Sequence, residues 1–323
     1  MSELHKFIFN GLPVRGTLVR ITDSWQEVLR RRAANTATGA WPQPVAELVG
    51  EMAAAGVLLQ DSIVFDGPLV LQIFGDGPVK VAAAEVLSDL RFRATATVTG
   101  EVAPGALLSE LVNAQGQGRC AITLDPGRAP GQQPYQSVVP LTDERGNKLE
   151  SLAAVIGHYM RQSEQIDTAL VLAADEHAAC GLLIQRLPGQ GEKNLARGQS
   201  AQEDEDEHFQ RIAVLAQSLR REELLTLDAD TLLHRLFWQE RLTRFVPLTD
   251  ERGPRFACAC SREGMMTALR ALGEDEVRDI LRERGEFEIS CDFCGHQEHF
   301  DAVDMARLFT PAEMLASGPD TMQ

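Results

Sequence analysis

Hydrophobic and polar residues alternate over several stretches of the first 188 residues, the pattern of strands with one buried face. In Arg91–Thr99, for example, apolar or small residues interleave with Arg and Thr. The predicted strands are Val14–Ile21, Pro68–Phe74, Val79–Val86, Arg91–Thr99, Arg119–Leu124, Gln136–Leu141 and Ala169–Ala173. Because these strands do not alternate regularly with helices, the pattern predicts an α+β fold with largely antiparallel pairing.

Helical periodicity predicts three helices in the same region. The predicted helices are one that ends at Arg32, one from Pro44 to Leu59 and one over Asn147–Arg161. Ser24 or Asp23 is expected to cap the first, and Glu27 lies where a capping box with Ser24 requires it. The heptapeptide Pro-Leu-Thr-Asp-Glu-Arg-Gly occurs at 140–146 and at 247–253, which we interpret as two similar turns.

The composition changes after Pro188. The segment Gly189–Gln202 is typical of a flexible tether. The acidic run Glu203–Glu207, which follows it, is typical of the solvated start of a helix. Two amphipathic helices are predicted next, the second over Asp230–Arg241. Their apolar residues are Phe209, Ile212, Ala213, Ala216 and Leu219, then Leu232, Leu233, Leu236, Phe237 and Trp238. Since these helices have no core of their own, they must dock on the N-terminal domain, on the C-terminal module or on another chain.

Four of the six cysteines form two close pairs, Cys258-Ala259-Cys260 and Cys291-Asp292-Phe293-Cys294. Two pairs of thiolates supply the tetrahedral ligand set that Zn²⁺ prefers. His296 and His299 are competing ligands, but the two pairs already complete a tetrahedron. The elements predicted around the cysteines are helices Arg262–Leu272 and Glu274–Arg284, with Gly285 as C-cap, and a strand at Phe287–Ile289.

The same four sulfurs can instead close into two disulfides, so a structural zinc site and a redox switch both remain open. Structural zinc is the more common of the two among cytosolic proteins. The short Cys258-X-Cys260 pair favours a switch because its disulfide ring would be strained, and Arg255 and Arg262 flank it, where positive charge favours thiolate. Two other cysteines have strand-like surroundings and are predicted to be small core residues: Cys120 and Cys180.

Composition narrows the function classes. A net charge of −16 and a sequence pI of about 4.9 oppose nucleic-acid binding, even though the helix Arg278–Arg284 carries basic residues that a zinc-containing nucleic-acid module would use. We find no signal peptide and no membrane-length apolar run, so the chain is expected to be cytoplasmic. No phosphate loop or hydrolase motif argues for an enzyme. A thiol-disulfide oxidoreductase needs its Cys-X-X-Cys at a helix start, whereas Cys291 follows a predicted strand.

These motifs resemble the 33 kDa chaperonin, or heat shock protein 33, family over nearly the whole chain. The resemblance rests on Cys258-X-Cys260 and Cys291-X-X-Cys294, with about thirty residues between them. The supporting motifs are Arg15-Gly16 with Val19-Arg20, Gly116-Gln117-Gly118-Arg119-Cys120, Tyr135-Gln136-Ser137-Val138-Val139-Pro140-Leu141 and Tyr159-X-X-Gln162-Ser163-Glu164-Gln165. The departures are Ser137, where the family usually has Gly, the acidic run and the tail beyond Phe309.

The resemblance implies a bacterial redox-regulated, ATP-independent holdase: a chaperone core over 1–190, a helical linker over 191–250, a zinc-binding redox switch over 251–310 and a tail over 311–323. In the reduced, inactive state one Zn²⁺ per chain is held by Cys258, Cys260, Cys291 and Cys294. Oxidation to the disulfides Cys258–Cys260 and Cys291–Cys294 is implied to release zinc and unfold the linker. The active homodimer then binds unfolding proteins until a foldase accepts them.

The surface that binds those client proteins is expected to involve the apolar face of the linker, because large exposed apolar patches mark interaction sites. The residues concerned, or the surface on which they dock, are Phe209, Ile212, Leu219, Leu236 and Trp238.

Overall fold

A computed structural model describes residues 1–36, 38–126, 133–187, 199–284 and 286–309. The chain divides into two compact units, Met1–Ala257 and Cys258–Gln323. The predicted α+β class is confirmed. All pairings between the described strands are antiparallel except one, in which Arg255–Phe256 pairs in parallel with Arg91–Phe92. Among these residues, no helix combines the length and the apolar character that crossing a membrane requires.

The first unit contains twelve strands in two sheets, and seven α-helices among the described residues. The strands are β1 (Glu3–Phe9), β2 (Val14–Ile21), β3 (Leu69–Phe74), β4 (Val79–Val86), β5 (Arg91–Val98), β6 (Arg119–Leu124), β7 (Tyr135–Pro140), β8 (Thr168–Ala174), β9 (Ala179–Arg186), β10 (Leu242–Arg244), β11 (Leu248–Thr249) and β12 (Arg255–Phe256). The helices are α1 (Asp23–Ala34), α2 (Gln43–Ser62), α3 (Leu108–Val112), α4 (Leu152–Gln162), α5 (Gln199–Gln217), α6 (Arg221–Thr226) and α7 (Ala229–Phe237).

The two sheets of this unit have different strand orders. The first sheet runs β10-β1-β2-β9-β8, and β11 also pairs with β1. The second runs β12-β5-β4-β3-β6-β7. Strands that follow the helices α5 to α7 therefore complete an edge of each sheet.

Helix α2 is buried because it packs against strands of both sheets. Its apolar residues occupy all sides rather than one stripe, which is the pattern of a fully covered helix. Two glycines permit the close approach: a Cβ on Gly50 would lie 2.5 Å from that of Ala174 in the first sheet, and one on Gly56 would lie 2.9 Å from Val86 Cγ2 in the second. The main core is therefore a helix enclosed between two sheets.

The first sheet is buried on its other face as well, by α5, α6 and α7. Successive side chains of a strand point to opposite faces, and in β2 Val19 and Ile21 join the core around α2 while Val14 and Leu18 contact the helices. The sheet thus separates two apolar clusters. We call the one beneath the helices the linker cluster; its strand residues are Phe7, Phe9, Val14, Leu18, Ala169, Ala173, Cys180, Leu182 and Ile184.

The second unit contains α8 (Arg262–Leu272), α9 (Glu274–Arg284), the hairpin β13 (Phe287–Ser290) with β14 (Gln297–Phe300), and α10 (Ala302–Phe309). Both predicted helices match α8 and α9; Gly285, the predicted C-cap, lies outside the described residues. The described buried apolar residues are few: Met265, Leu269, Val277, Phe300 and Leu308. The described side chains alone provide this unit with little hydrophobic stabilisation.

Several predicted boundaries are wrong for local reasons. Neither Ser24 nor Asp23 caps α1: Thr22 is its N-cap residue, without a side-chain cap bond. The Asp23 carboxylate instead accepts hydrogen bonds from the N-terminal amine and Thr22, and Glu27 pairs with arginines of its own helix. Helix α4 starts five residues later than predicted, because Ser151 caps it by accepting a hydrogen bond from Ala154 N at 3.2 Å.

The linker also differs from its prediction. Helix α5 begins at Gln199, so the last residues of the predicted tether are helical, and residues 189–198 lie outside the described part of the chain. The second predicted helix ends at Phe237 rather than Arg241, where the chain turns towards β10. The two copies of the heptapeptide differ: in the first, Gly146 is left-handed (φ 81°), whereas the second contains a short 3₁₀ helix, Asp250–Arg252.

Candidate metal centre and the linker surface

The four paired cysteines converge in the second unit. Their sulfurs all lie within 4.8 Å of one another. The shortest separations join the two pairs: Cys258 Sγ to Cys291 Sγ is 3.7 Å, and Cys260 Sγ to Cys294 Sγ is 3.2 Å. Zinc–sulfur bonds of about 2.3 Å in a regular tetrahedron place sulfurs about 3.8 Å apart, so the donor set fits a tetrahedral ion.

Local structure positions each pair. Cys258 and Cys260 precede Ser261, whose Oγ accepts a hydrogen bond from Gly264 N at 3.1 Å and so caps α8. Cys291 and Cys294 lie in the turn between β13 and β14. The Cys291 carbonyl accepts from Gly295 N at 2.8 Å, and Gly295 adopts a φ of 67° that favours glycine. A helix start and a hairpin turn therefore present two thiols each.

The clustered thiols change each other's acidity. A hydrogen bond from Cys291 is the main cause that lowers the pKa of Cys258 to about 4. Burial, followed by hydrogen bonds with Cys294 and Cys258, raises the pKa of Cys260 to about 12. The pKa of Cys291 is also raised, mainly by its hydrogen bond to Cys258. The cluster thus favours one thiolate and opposes the next, a cost that a bound cation offsets.

The neighbouring charged groups are not arranged as the sequence predicts. Arg262 pairs with Glu298 at 2.6 Å and Asp304 at 2.7 Å, and it stacks on Phe300 at 4.4 Å from the ring centroid. Arg255 contacts Asp89 at 3.1 Å. Both arginines thus make ion pairs with carboxylates, and the effect of their charge on the cysteines stays a prediction.

The competing histidines lie outside the sulfur cluster. His296 Nε2 lies 2.9 Å from Glu298, and His299 Nε2 lies 3.4 Å from Glu288. Among the described residues, the group of metal-binding side chains that converges consists of the four cysteines alone. This geometry favours a four-cysteine set over three cysteines and one histidine.

The remaining cysteines are core residues, as predicted. Cys120 and Cys180 are buried in strands β6 and β9. Burial raises the pKa of each thiol to about 12. Both are therefore unreactive at neutral pH.

The predicted linker residues dock on the first sheet. Phe209, Ile212, Leu219 and Leu236 are buried in the linker cluster, and Ile212 has no exposed surface. Trp238 differs, since 67% of its surface is exposed at the end of α7. Of the three docking partners considered from the sequence, the sheet of the N-terminal domain is the one that the structure brings against these helices.

Two arginines reinforce this docking, a role that was not predicted from the sequence. Arg20, on the linker face of β2, donates to the backbone carbonyls of Leu224, Leu225 and Leu227 at the end of α6. In the opposite direction, Arg221 of α6 donates to the carbonyl of Ala174 and pairs with Glu47 of α2 at 2.9 Å. The available signal was Arg20 itself, a charged residue between Val19 and Ile21 in a predicted strand.

Comparisons with known proteins agree over nearly the whole chain. A model of the Hsp33 protein family matches residues 2–301. The chain is 41% identical over 320 residues to a 33 kDa chaperonin of Methylobacillus flagellatus, covering 99% of this chain and 98% of that protein. It is 40% identical over 309 residues to a 33 kDa chaperonin of Chromobacterium violaceum, covering 95% and 94%. The crystal structure of the 33 kDa chaperonin (heat shock protein 33 homolog) from Thermotoga maritima shares the fold, with a TM-score of 0.69 at 19% identity over 95% of this chain and 98% of that one.

Proposed function

Because this chain belongs to the Hsp33 family of chaperones, we propose that it is a redox-regulated, ATP-independent holdase. It is inactive when reduced and zinc-bound, and it binds unfolding proteins after oxidation. The observation that carries the proposal is the convergence of Cys258, Cys260, Cys291 and Cys294 in one cluster of metal-binding size. We place it in the cytoplasm, where thiols are normally reduced and such a cluster can report an oxidant.

In the resting state the four thiolates would hold one Zn²⁺, which joins the start of α8 to the β13–β14 turn. Structural zinc contributes roughly 10–16 kcal/mol in peptide systems at neutral pH. Few of the described side chains of the second unit are both apolar and buried, so we expect the ion to supply much of the unit's stability.

Oxidation would remove this stabilisation. Each disulfide forms from two thiols with loss of two protons and two electrons; one molecule of hydrogen peroxide accepts them and becomes two molecules of water. The family resemblance implies the pairs Cys258–Cys260 and Cys291–Cys294. Both bridges are local in sequence, so they cannot replace the metal's link between the two halves of the unit.

Loss of the zinc unit would then weaken the adjacent linker. Release of α5 to α7 uncovers the strand side of the linker cluster, including Phe7, Phe9 and Leu18. A contiguous apolar surface of this kind suits non-native proteins, which expose their own apolar residues. We expect the oxidised form to dimerise and to pass its clients to a foldase.

Light scattering of a chemically denatured protein, diluted into the chaperone, tests the proposal. The chaperone is supplied reduced with zinc, or pretreated with peroxide at elevated temperature. Suppression of aggregation by the oxidised form alone supports a redox-activated holdase. Equal behaviour of the two forms favours a constitutive structural zinc site, and turnover in an insulin-reduction assay favours a thiol-disulfide oxidoreductase.

A further inference from the structure

The outer edge of β1 is covered by the end of the chain's own linker. One edge of β1 pairs with β2, and the other pairs with β10 and β11. The outer register is Phe7–Arg244, Ile8–Thr243 and Phe9–Leu242, followed by Glu3–Thr249 and Leu4–Leu248. Two short strands thus cover the edge of a longer one.

This cover is discontinuous. Strands β10 and β11 have three and two residues, and the residues between them include Phe245 and Val246, which are 51% and 77% exposed. Backbone bonds at the ends complete the ladder: Phe245 N donates to Lys6 O at 2.9 Å, and Asn10 N donates to Arg241 O at 2.8 Å. Strands this short contribute little independent stability.

The covering segment lies directly before the proposed switch. After β11 the chain forms β12, whose two residues pair with β5, and it reaches Cys258 two residues later. On the other side, Arg244 pairs with Asp230 of α7 at 2.6 Å. The segment is therefore anchored by short pairings to the sheets and by α7, which itself belongs to the linker.

We propose that the outer edge of β1 is a docking site for an extended segment of an unfolding protein, which pairs with β1 once Leu242–Thr249 has left. The inference rests on the proposed function. A vacated strand edge presents a row of backbone donors and acceptors that any extended chain can satisfy. Recognition through the backbone is independent of sequence, which suits a chaperone with many clients.

The surroundings of β1 also define a preference for side chains. Phe7 and Phe9 lie on the linker face, with ring centroids 5.7 Å apart, and Phe237 lies 5.1 Å from Phe9. The chain's own residue opposite Phe9 is Leu242, which packs against the linker cluster. Because side chains alternate along a strand, the best occupant is an extended segment with an apolar residue at every second position.

Amide-resolved hydrogen exchange tests this site. Lys6 O and Asn10 N face the outer edge, so the amide of Ile8 does too, whereas those of Phe7 and Phe9 face β2 and serve as internal controls. We expect the outer amides to exchange about tenfold faster or more after oxidation, and to slow again when carboxymethylated α-lactalbumin, a permanently unfolded protein, is added. The inner amides should stay slow throughout.

Three outcomes overturn the inference. In the first, the outer amides still exchange slowly after oxidation; in the second, they still exchange fast with α-lactalbumin although aggregation is suppressed. In the third, their exchange slows only as the chaperone's own concentration rises, which makes a second copy the occupant. Failure of oxidised wild type to suppress aggregation is a different result, because it refutes the proposed function itself.

A proline substitution opens the edge without oxidation. Thr243→Pro removes the donor opposite Ile8, whereas Val246→Ala changes an exposed residue outside the paired positions. In the reduced, zinc-bound state we expect the outer amides of T243P to exchange about tenfold faster than those of wild type. Added α-lactalbumin should slow them again, and the amides of V246A should exchange as in wild type. Equal exchange in the two variants, or opening of T243P without protection by α-lactalbumin, contradicts the proposal.

Discussion

Truncation of Ile212 should release the linker without any oxidant. Ile212 is completely buried between α5 and the first sheet, and replacing a buried isoleucine by alanine typically costs about 2–5 kcal/mol. That free energy is lost from the docked state alone, because an undocked α5 leaves residue 212 in water. A loss of about 2 kcal/mol already raises the undocked fraction roughly 30-fold.

Val214 supplies a matched control on the same helix. It is also β-branched, but 62% of its surface is exposed, and such substitutions usually change stability by less than about 0.5 kcal/mol. We would compare I212A and V214A in the reduced, zinc-bound state, measuring hydrogen exchange of α5 and tryptic cleavage at Arg211. I212A should exchange and be cleaved faster, and it should suppress aggregation partially without peroxide.

Equal cleavage and exchange in the two variants would refute the docking argument, because burial of Ile212 would then contribute nothing to holding α5. Faster cleavage of I212A without any gain in suppression of aggregation would separate linker release from client binding. In that case the surface beneath the helices would not be the one that binds clients.

Three further predictions concern polar and metal-binding groups. Arg20→Met should weaken docking of α6 by about 1.5–3 kcal/mol, since it removes charge-assisted hydrogen bonds to three backbone carbonyls. Tryptic cleavage at Arg221 should become faster, and an unchanged rate of cleavage would contradict this. Burial raises the pKa of Glu51 from 4.5 to about 7. Between these pH values the folded state retains a proton that the unfolded chain releases. The free energy of unfolding should therefore fall by up to about 3 kcal/mol as the pH rises from 4.5 to about 7. Urea unfolding at pH 5 and 8 should show this slope in wild type, and Glu51→Gln should reduce it; an unchanged slope would contradict the role of Glu51. Cys294→Ser should lose the bound metal in a colorimetric zinc assay. The control Cys180→Ala, far from the cluster in sequence, should keep one equivalent of zinc. Metal retained by C294S would exclude the four-cysteine site.

Local patterns predicted several elements residue by residue. Strands β2, β4 and β6 and helices α8 and α9 match their predicted bounds. The convergence of the cysteines also follows from the sequence, because two close pairs provide few other ways to form a tetrahedral site. In these parts of the chain the local signal and the tertiary environment agree.

Elements whose environment is set at long range were missed or, like β9 around Cys180, only partly predicted. Strand β9 is covered on both faces, so it has a nearly continuous apolar run instead of an alternating pattern. Strand β1 and the five-residue α3 were missed as well. Tertiary contacts also determine that Arg262 binds carboxylates. They likewise give the two copies of the heptapeptide different conformations. No local pattern encodes such partners.

The separation of the two apolar clusters by the first sheet has a thermodynamic consequence. The cluster around α2 is closed by two sheets, and none of the described side chains of α5, α6 or α7 belongs to it, so losing these helices does not open it. Unfolding should therefore occur in more than one cooperative step, with the helices melting below the temperature at which the sheets do. A protein organised in this way can open one side repeatedly and refold it on an intact template.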